Sequence, residues 1–390
     1  LVRGFFGHTR FATSSKASMD GTHPHQWSPR RFYTFYSFQS AATSRKFIQK
    51  RGGGKEDGYD EFLDFVTGKS TSSSGRAAVG TGLAESLTAQ DKKVMHLAPK
   101  PQLLAVENFV THNGDFEFYK INGKYYDTDA VQSFLVKTLR VPMPATVDSA
   151  AIAGMMDLLR VQGSFALSAR YAICFMMDGG SMNVNPMDPS IEYMTISQYE
   201  EIGKAFERAL KELVNERNIK SLEEFNPSAE VLQEISPDQS IRSSQVKSDL
   251  RKELMDRVKV GLLDLAQSKL GAKSAVRELI KFVSLDIEAG DLNRFVRATV
   301  NAFFDNDLLH SMRIFLENAK GSFGLCVTTS MDAHRQAVFA AKGQTCSVAF
   351  YPRKGVICYG SEQAAVKVNL LCTLASFSSP FALFLLYLFH

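Results

Sequence analysis

Apolar and polar positions alternate in different ways along this chain, and the change of period divides it. Val2 to Thr13, "VRGFFGHTRFAT", and Val106 to Tyr119, "VENFVTHNGDFEFY", have the density and alternation of half-buried strands. The second breaks at Asn113-Gly114, a strong turn pair. A turn at Asn122-Gly123 then leads into a helix that Asp127 or Asp129 caps, and a second helix follows from Asp148 or Ser149. "GSFALSARYAICFMMDGG", from Gly163, alternates as a strand does.

From residue 190 the period becomes helical. Ile202, Phe206, Ala209 and Leu213 share one face, behind a capping-box pattern of Ser197 and Glu200. Val246, Leu250, Leu254, Val258, Leu262 and Leu265 form another stripe. Such stripes are packing faces. Further helical runs follow at "AVRELIKFVS", "DLNRFVRATVNAFF" and "LLHSMRIFLENA". After residue 319 short β-branched and aromatic runs return: "GSFGLCVTTS", "RQAVFAAKG", "CSVAFYP" and "GVICYGS", the pattern of an antiparallel meander. "GSFAL" at 163 and "GSFGL" at 321 look alike, but two short copies make no repeat architecture.

Composition then bounds the class. The chain has 390 residues, 45% apolar and 22% charged, which is enough to bury a real core. A net charge of +4 is too thin to argue for nucleic acid. Arg30, Arg31, Phe32, Tyr33, Phe35 and Tyr36 could bind a single strand, yet such a stretch is better read as an excursion docking on its host domain. Five cysteines without CxxC spacing argue for free thiols and against zinc, and no metal or cofactor is expected. The tail Leu370 to Phe389 is uncharged and long enough to span a bilayer, but Ser376 to Pro380 interrupts it; a buried terminal helix or an unrelated tail fits better than an anchor.

The polar clusters sit at strand ends, where a rigid sheet presents groups to a ligand. Arg10 with Thr13 offers a guanidinium and a hydroxyl, and Arg10 can grip a carboxylate. Asp129 can hold an ammonium. Asn113 offers a side-chain NH2 and Gly114 an unshielded backbone N–H; two such donors on one point make an oxyanion hole. A site with all of these suits an α-amino acid and acyl transfer.

"GHTRFAT…GTHPH", "THNGDFEFY" and "DTDA", in that order, resemble the glutaminase domain of class II glutamine amidotransferases, members of the N-terminal-nucleophile hydrolases, most of all the glutaminase half of glucosamine-6-phosphate synthase. "VFAAKG" and "CYGSEQAAV" (with Ser361-Glu362) are similar to the distal hairpin and helix start of that family. The resemblance covers residues 1–25, 106–180 and 320–368. It implies an α+β fold, a four-layer αββα sandwich, with a helical insertion. It also implies hydrolysis of the glutamine side-chain amide to glutamate and ammonia. By motif, Arg10 and Thr13 would grip the substrate carboxylate end, Phe11 would be a further substrate-binding position, Asp129 would take the α-ammonium, and Asn113 and Gly114 would form the oxyanion hole. Phe11 stands where the family has Trp, and Ser14 where it often has His, which removes a possible contact.

The family's nucleophile is a cysteine at the mature N-terminus whose own α-amino group is the base. Only Leu1 to Gly7 precede the histidine-threonine-arginine motif, and none is Cys. The expectation is therefore an N-terminally truncated, inactive fragment of a cytoplasmic enzyme that feeds ammonia to a downstream synthase domain or subunit. An acceptor in amino-sugar biosynthesis comes first and a phosphoribosyl-amine route second. The alternative is a non-catalytic regulatory or binding module on the same fold. The expected organisation is 1–25 start of the glutaminase-like domain, 26–105 irregular basic and Ser/Gly-rich insertion, 106–189 the domain continued, 190–319 helical insertion, 320–368 last strands and 369–390 hydrophobic tail.

Overall fold

The computed structural model describes residues 24–40, 93–121, 123–139, 143, 145–176, 196–219, 225, 249–262, 264, 290–330, 336–351, 356–362, 373–377 and 382–387. Among these the protein is mixed α/β, with antiparallel sheets and helices. The larger sheet begins with β1 (His25–Ser40), β2 (Lys93–Ile121) and β3 (Lys124–Asp127), and is completed by β4 (Ala319–Thr329), β5 (Gln336–Lys342) and β9 (Ala382–Tyr387). Its order is β1-β2-β4-β5-β9, with β3 also paired to β2. A smaller sheet, β7-β6-β8, is built from β6 (Cys346–Tyr351), β7 (Val356–Gly360) and β8 (Thr373–Phe377). The four late runs are strands, as their pattern predicts, but they divide between two sheets and do not form one meander.

Prolines mark where β1 and β2 slip against each other. Trp27 pairs with Asn108 and Arg30 with Val106, so the Ser28-Pro29 pair falls in a bulge. Thr34 pairs with Gln102 and Tyr36 with Leu97, so the extra residues of β2 include Pro99 and Pro101. Proline lacks the N–H a ladder needs, and bulges are where a sheet tolerates it.

Helices α1 (Thr128–Leu139), α2 (Asp148–Leu159) and α7 (Leu308–Asn318) contribute to one core with the larger sheet. Strand alternation assigns the faces. Val110, Phe323, Leu325, Val327, Val338 and Ala340 join this helical core. Cys326, Ala337, Phe339 and Ala341 cluster instead with Cys346 and Val348 of β6, so the smaller sheet covers part of the other face.

A second core is helical. It takes Phe165, Ala166 and Ala169 from α3 (Phe165–Tyr171), together with α4 (Ile196–Glu216), α5 (residues 249–262) and α6 (Gly290–Asp305). Ile202, Phe206, Ala209, Leu213, Leu254, Val258 and Leu262 are all buried there, so the described parts of the two helical stripes are packing faces. Phe165 stacks on Phe303 with ring centroids 3.7 Å apart. Arg251 of α5 grips Asp305 of α6 through two bonds of 2.8 and 3.0 Å.

Several local expectations are corrected. Residues 165–176 are helical, α3 running into a π-helical turn at Ala172–Met176, and not a strand. Packing against α4 and α6 overrides the local alternation. Residues 26–40 and 93–105 are strand, not irregular, because the two stretches pair with each other. β2 passes through Asn113-Gly114 without turning, because β4 holds it on one side. Ser197 lies inside α4 and is not its cap. The tail contains β8 and β9 and no described helix; among the described residues no helix is long and apolar enough to cross a membrane.

Candidate functional site

β2 carries β1 and β3 along the same edge, opposite β4. β1 ends its pairing at Val110 and β3 begins at Phe118. Among the described residues, 111–117 therefore have no strand partner on that edge. Into this gap come the N-termini of two helices. The Phe116 N–H donates to Asp148 Oδ2 at 3.0 Å, and the Thr128 hydroxyl donates to the Phe116 carbonyl. One peptide position of β2 thus holds both helix starts.

Asn113 and Gly114 stand just upstream. Backbone groups of an extended strand point alternately to its two edges. Val110 pairs with His25 in β1, while the Ser330 N–H donates to the Glu107 carbonyl on the β4 side. Even-numbered residues here thus face the gap, and the Gly114 N–H belongs to that edge. Asn113 is exposed and lies across from Gly324, which has no side chain to cover it.

Gly114 has φ +123°, and a Cβ there would lie 2.0 Å from the Ser322 carbonyl oxygen. Gly321, across from Phe116, has φ +136°, and its Cβ would lie 2.0 Å from the Asp115 carbonyl oxygen. Only glycine fits either place. The "GSFGL" run therefore supplies the counterpart of the Asn113-Gly114 run, a role no pattern within either segment reveals.

His112 lies beneath, on the helical face and 5% exposed. Its Nε2 is 3.3 Å from the Ser322 carbonyl oxygen and its Nδ1 3.1 Å from the Ser149 hydroxyl, with Asp148 Oδ2 at 3.6 Å. Phe323 stacks on the ring at 5.6 Å. Burial lowers the imidazole pKa below 6.5, against the opposing pull of Asp148, the Ser322 carbonyl and Asp115. Burial thus favours the neutral ring. On the other side of this segment the Ser322 hydroxyl receives the Asp115 N–H at 3.3 Å and the Gln344 amide at 3.4 Å.

The rival caps of α1 separate cleanly. Asp127 Oδ1 accepts from the Ala130 N–H at 2.8 Å and is the cap. Asp129 is left exposed in the first turn of the same helix. Neither Asp148 nor Ser149 caps α2, whose N-cap is Val147; the Asp148 carboxylate is committed to β2 and to the Ser149 N–H. Arg10, Phe11 and Thr13 lie outside the described residues, as does His23. The helix start that carries Asp129 thus meets β2 at Phe116, two residues beyond Gly114. The sequence motifs did not point to Ser149, Ser322 or Gln344 around this stretch.

Two other polar clusters are structural. Asp157 of α2 and Arg170 of α3 form a buried ion pair at 2.9 Å, and Asn108 of β2 donates to Asp157 at 3.3 Å. A shallow hollow of about 410 Å³ along α5, between Asp249 and Val260, is a charged, solvated helix face with none of the site residues. Among the described residues no group of three His, Cys, Asp or Glu could hold a metal ion, and Cys174, Cys326, Cys346 and Cys358 are free thiols.

No family model, no curated protein and no solved structure matches this chain.

Proposed function

We propose that this chain is the glutaminase domain of a class II glutamine amidotransferase, hydrolysing the glutamine side-chain amide to glutamate and ammonia for a synthase. The observation that carries the reading is the Asn113-Gly114 pair: a side-chain amide and a glycine N–H, adjacent on a strand that has no partner strand on one edge at that point among the described residues. In the proposed reaction a cysteine thiol gives its proton to its own α-amino group and attacks the amide carbon, so that the carbonyl oxygen becomes an oxyanion; the C–N bond then breaks with that proton leaving on ammonia, and water cleaves the thioester to glutamate. Asn113 Nδ2 and the Gly114 N–H donate to the oxyanion. Donors fixed before the reaction are worth most in a tetrahedral intermediate, because no reorganisation is needed as charge develops.

Asp129 takes the α-ammonium; exposed at a helix start beside β2, it is spared the capping role that Asp127 fills. Arg10 and Thr13 take the carboxylate, with Phe11 beside them. Helices α1, α2 and α7 on one face of the larger sheet and β6–β8 on the other are consistent with three layers of an αββα sandwich.

The test is ammonia and glutamate release from glutamine by the full-length gene product, with labelling by a glutamine-analogue diazoketone. The expected result is turnover, label on an N-terminal cysteine, and a loss of about 10²–10³ in kcat for Asn113→Ala. Absence of turnover and label in the full-length protein overturns the reading and favours a non-catalytic module.

A further inference from the structure

The candidate oxyanion donor depends on a backbone arrangement that β2 does not hold by itself. The Ser322 carbonyl of β4 is turned toward the helical face, where it meets His112 Nε2 at 3.3 Å. The same oxygen occupies the space a Cβ of Gly114 would need, 2.0 Å from it. It therefore rests against Gly114, the residue at φ +123° whose N–H is the proposed donor. A carbonyl accepts only, so the ring nitrogen facing it carries the proton. The Ser149 hydroxyl lies 3.1 Å from Nδ1 and has the Asp148 carboxylate as a rival acceptor at 3.3 Å; in a neutral ring protonated at Nε2, Nδ1 is the nitrogen that accepts from it. Ser149 lies in the first turn of α2, whose Asp148 receives the Phe116 N–H. His112 thus ties β4 to α2 directly beneath the Asn113-Gly114 pair.

We propose that His112 is a positioning residue for the oxyanion donor: its Nε2–H holds the Ser322 carbonyl against Gly114, and the Ser149 hydroxyl fixes the tautomer that can do so. The proposal rests on the glutaminase reading above. In this proposal His112 acts through the Ser322 carbonyl and not on the substrate. Its burial and lowered pKa agree with a neutral ring that donates at one nitrogen and accepts at the other.

The test compares His112→Gln, His112→Phe and Ser149→Ala in the full-length protein. A Gln amide can reproduce donation from the Nε2 position, whereas Phe cannot donate at all. The expected pattern is a fall in kcat of about 10²-fold for His112→Phe, the scale of a catalytic group displaced by about 1 Å. The glutamine KM stays within about twofold, and His112→Gln recovers at least about tenfold of the lost kcat. Ser149→Ala lowers kcat by about tenfold, and nitrogen NMR of the His112 ring shows the Nε2–H tautomer in the parent and a mixture in this variant. If His112→Phe does not fold, His112→Gln and Ser149→Ala decide alone. A variant set in which Gln is as slow as Phe, or in which KM rises while kcat is unchanged, overturns the positioning role. An Nδ1–H tautomer in the parent does so too. A parent protein that releases no ammonia from glutamine overturns the glutaminase reading instead, and this proposal with it.

Discussion

Gly114 and Gly123 both have positive φ, +123° and +78°, yet they answer to different constraints. A methyl at Gly123 meets nothing within 4 Å, whereas one at Gly114 collides with the Ser322 backbone. Gly123→Ala is expected to cost about 1–2 kcal/mol, the backbone strain alone. Gly114→Ala adds steric displacement of β4 and is expected to cost about 2–5 kcal/mol in all. Urea denaturation of the two variants checks the difference, and equal losses would mean that β4 does not press on Gly114. His112 gives a pH prediction at the same scale. Its folded pKa lies below 6.5, so between that value and 6.5 the unfolded chain binds more protons than the folded one. Its contribution to stability is complete above 6.5 and is lost as pH falls toward the folded pKa. Denaturation midpoints between pH 5 and 7.5 should therefore rise with pH more steeply in the parent than in His112→Gln.

Between elements, the joint that matters is the one among β2, α2 and α3. Asp157 and Arg170 are buried, and the Arg170 guanidinium also donates to the Asp157 backbone carbonyl at 3.0 Å. Burial pushes the Asp157 carboxyl up, while Arg170 and Asn108 pull against it. Removing one member leaves the other charge in a site water does not reach. Asp157→Ala is expected to cost about 3–5 kcal/mol, measured by thermal or urea unfolding. A loss below about 1 kcal/mol would show that Arg170 finds another partner. Glu207 of α4 carries the opposite pH signature to His112. Burial raises its carboxyl to about 8, so its folded state keeps a proton that the unfolded chain gives up above 4.5. Its contribution is present at low pH and is lost as pH rises through 8. Glu207→Gln should make the protein more stable than the parent at pH 8 and leave it nearly unchanged at pH 4.5.

For the whole molecule, the two cores have separate reporters. The chain's single tryptophan, Trp27, is buried in the core of the larger sheet, whereas Phe165 and Phe303 stack in the helical core. Gln162 bonds the Phe304 carbonyl and Asn306 bonds the Leu159 carbonyl, so the C-terminal end of α2 is tied to the end of α6. That linkage predicts coincident unfolding by Trp27 fluorescence and far-ultraviolet circular dichroism in the parent. Phe165→Ala removes the stack and is expected to cost about 3–5 kcal/mol. The loss should fall on the helical core, so that the dichroism transition moves to lower urea than the fluorescence transition. Two transitions that shift together by the same amount would show one cooperative unit without an internal weak point.

Some of this was legible along the chain. The helical stripes from residue 202 and the strand runs from residue 321 follow from period alone, because a 3.6-residue or two-residue repeat of apolar side chains records which face is buried. The alternatives for capping α1 were also legible, since both Asp127 and Asp129 have the right chemistry; only the bond from the Ala130 N–H selects Asp127 and leaves Asp129 exposed. Tertiary structure decided the rest. "GSFAL" and "GSFGL" differ by one residue, yet the first starts α3 and the second lies in β4. Phe165 is drawn into a helical core and Phe323 into the sheet core; the one differing residue, Ala166 against Gly324, favours helix by only about 1 kcal/mol, and packing decides. Likewise Asn113-Gly114 has the chemistry of a turn and is held extended by β4, which lies more than 200 residues away in the chain. A sequence specifies which groups can donate, accept or pack; their partners across that distance are fixed only when strands and helices close around them.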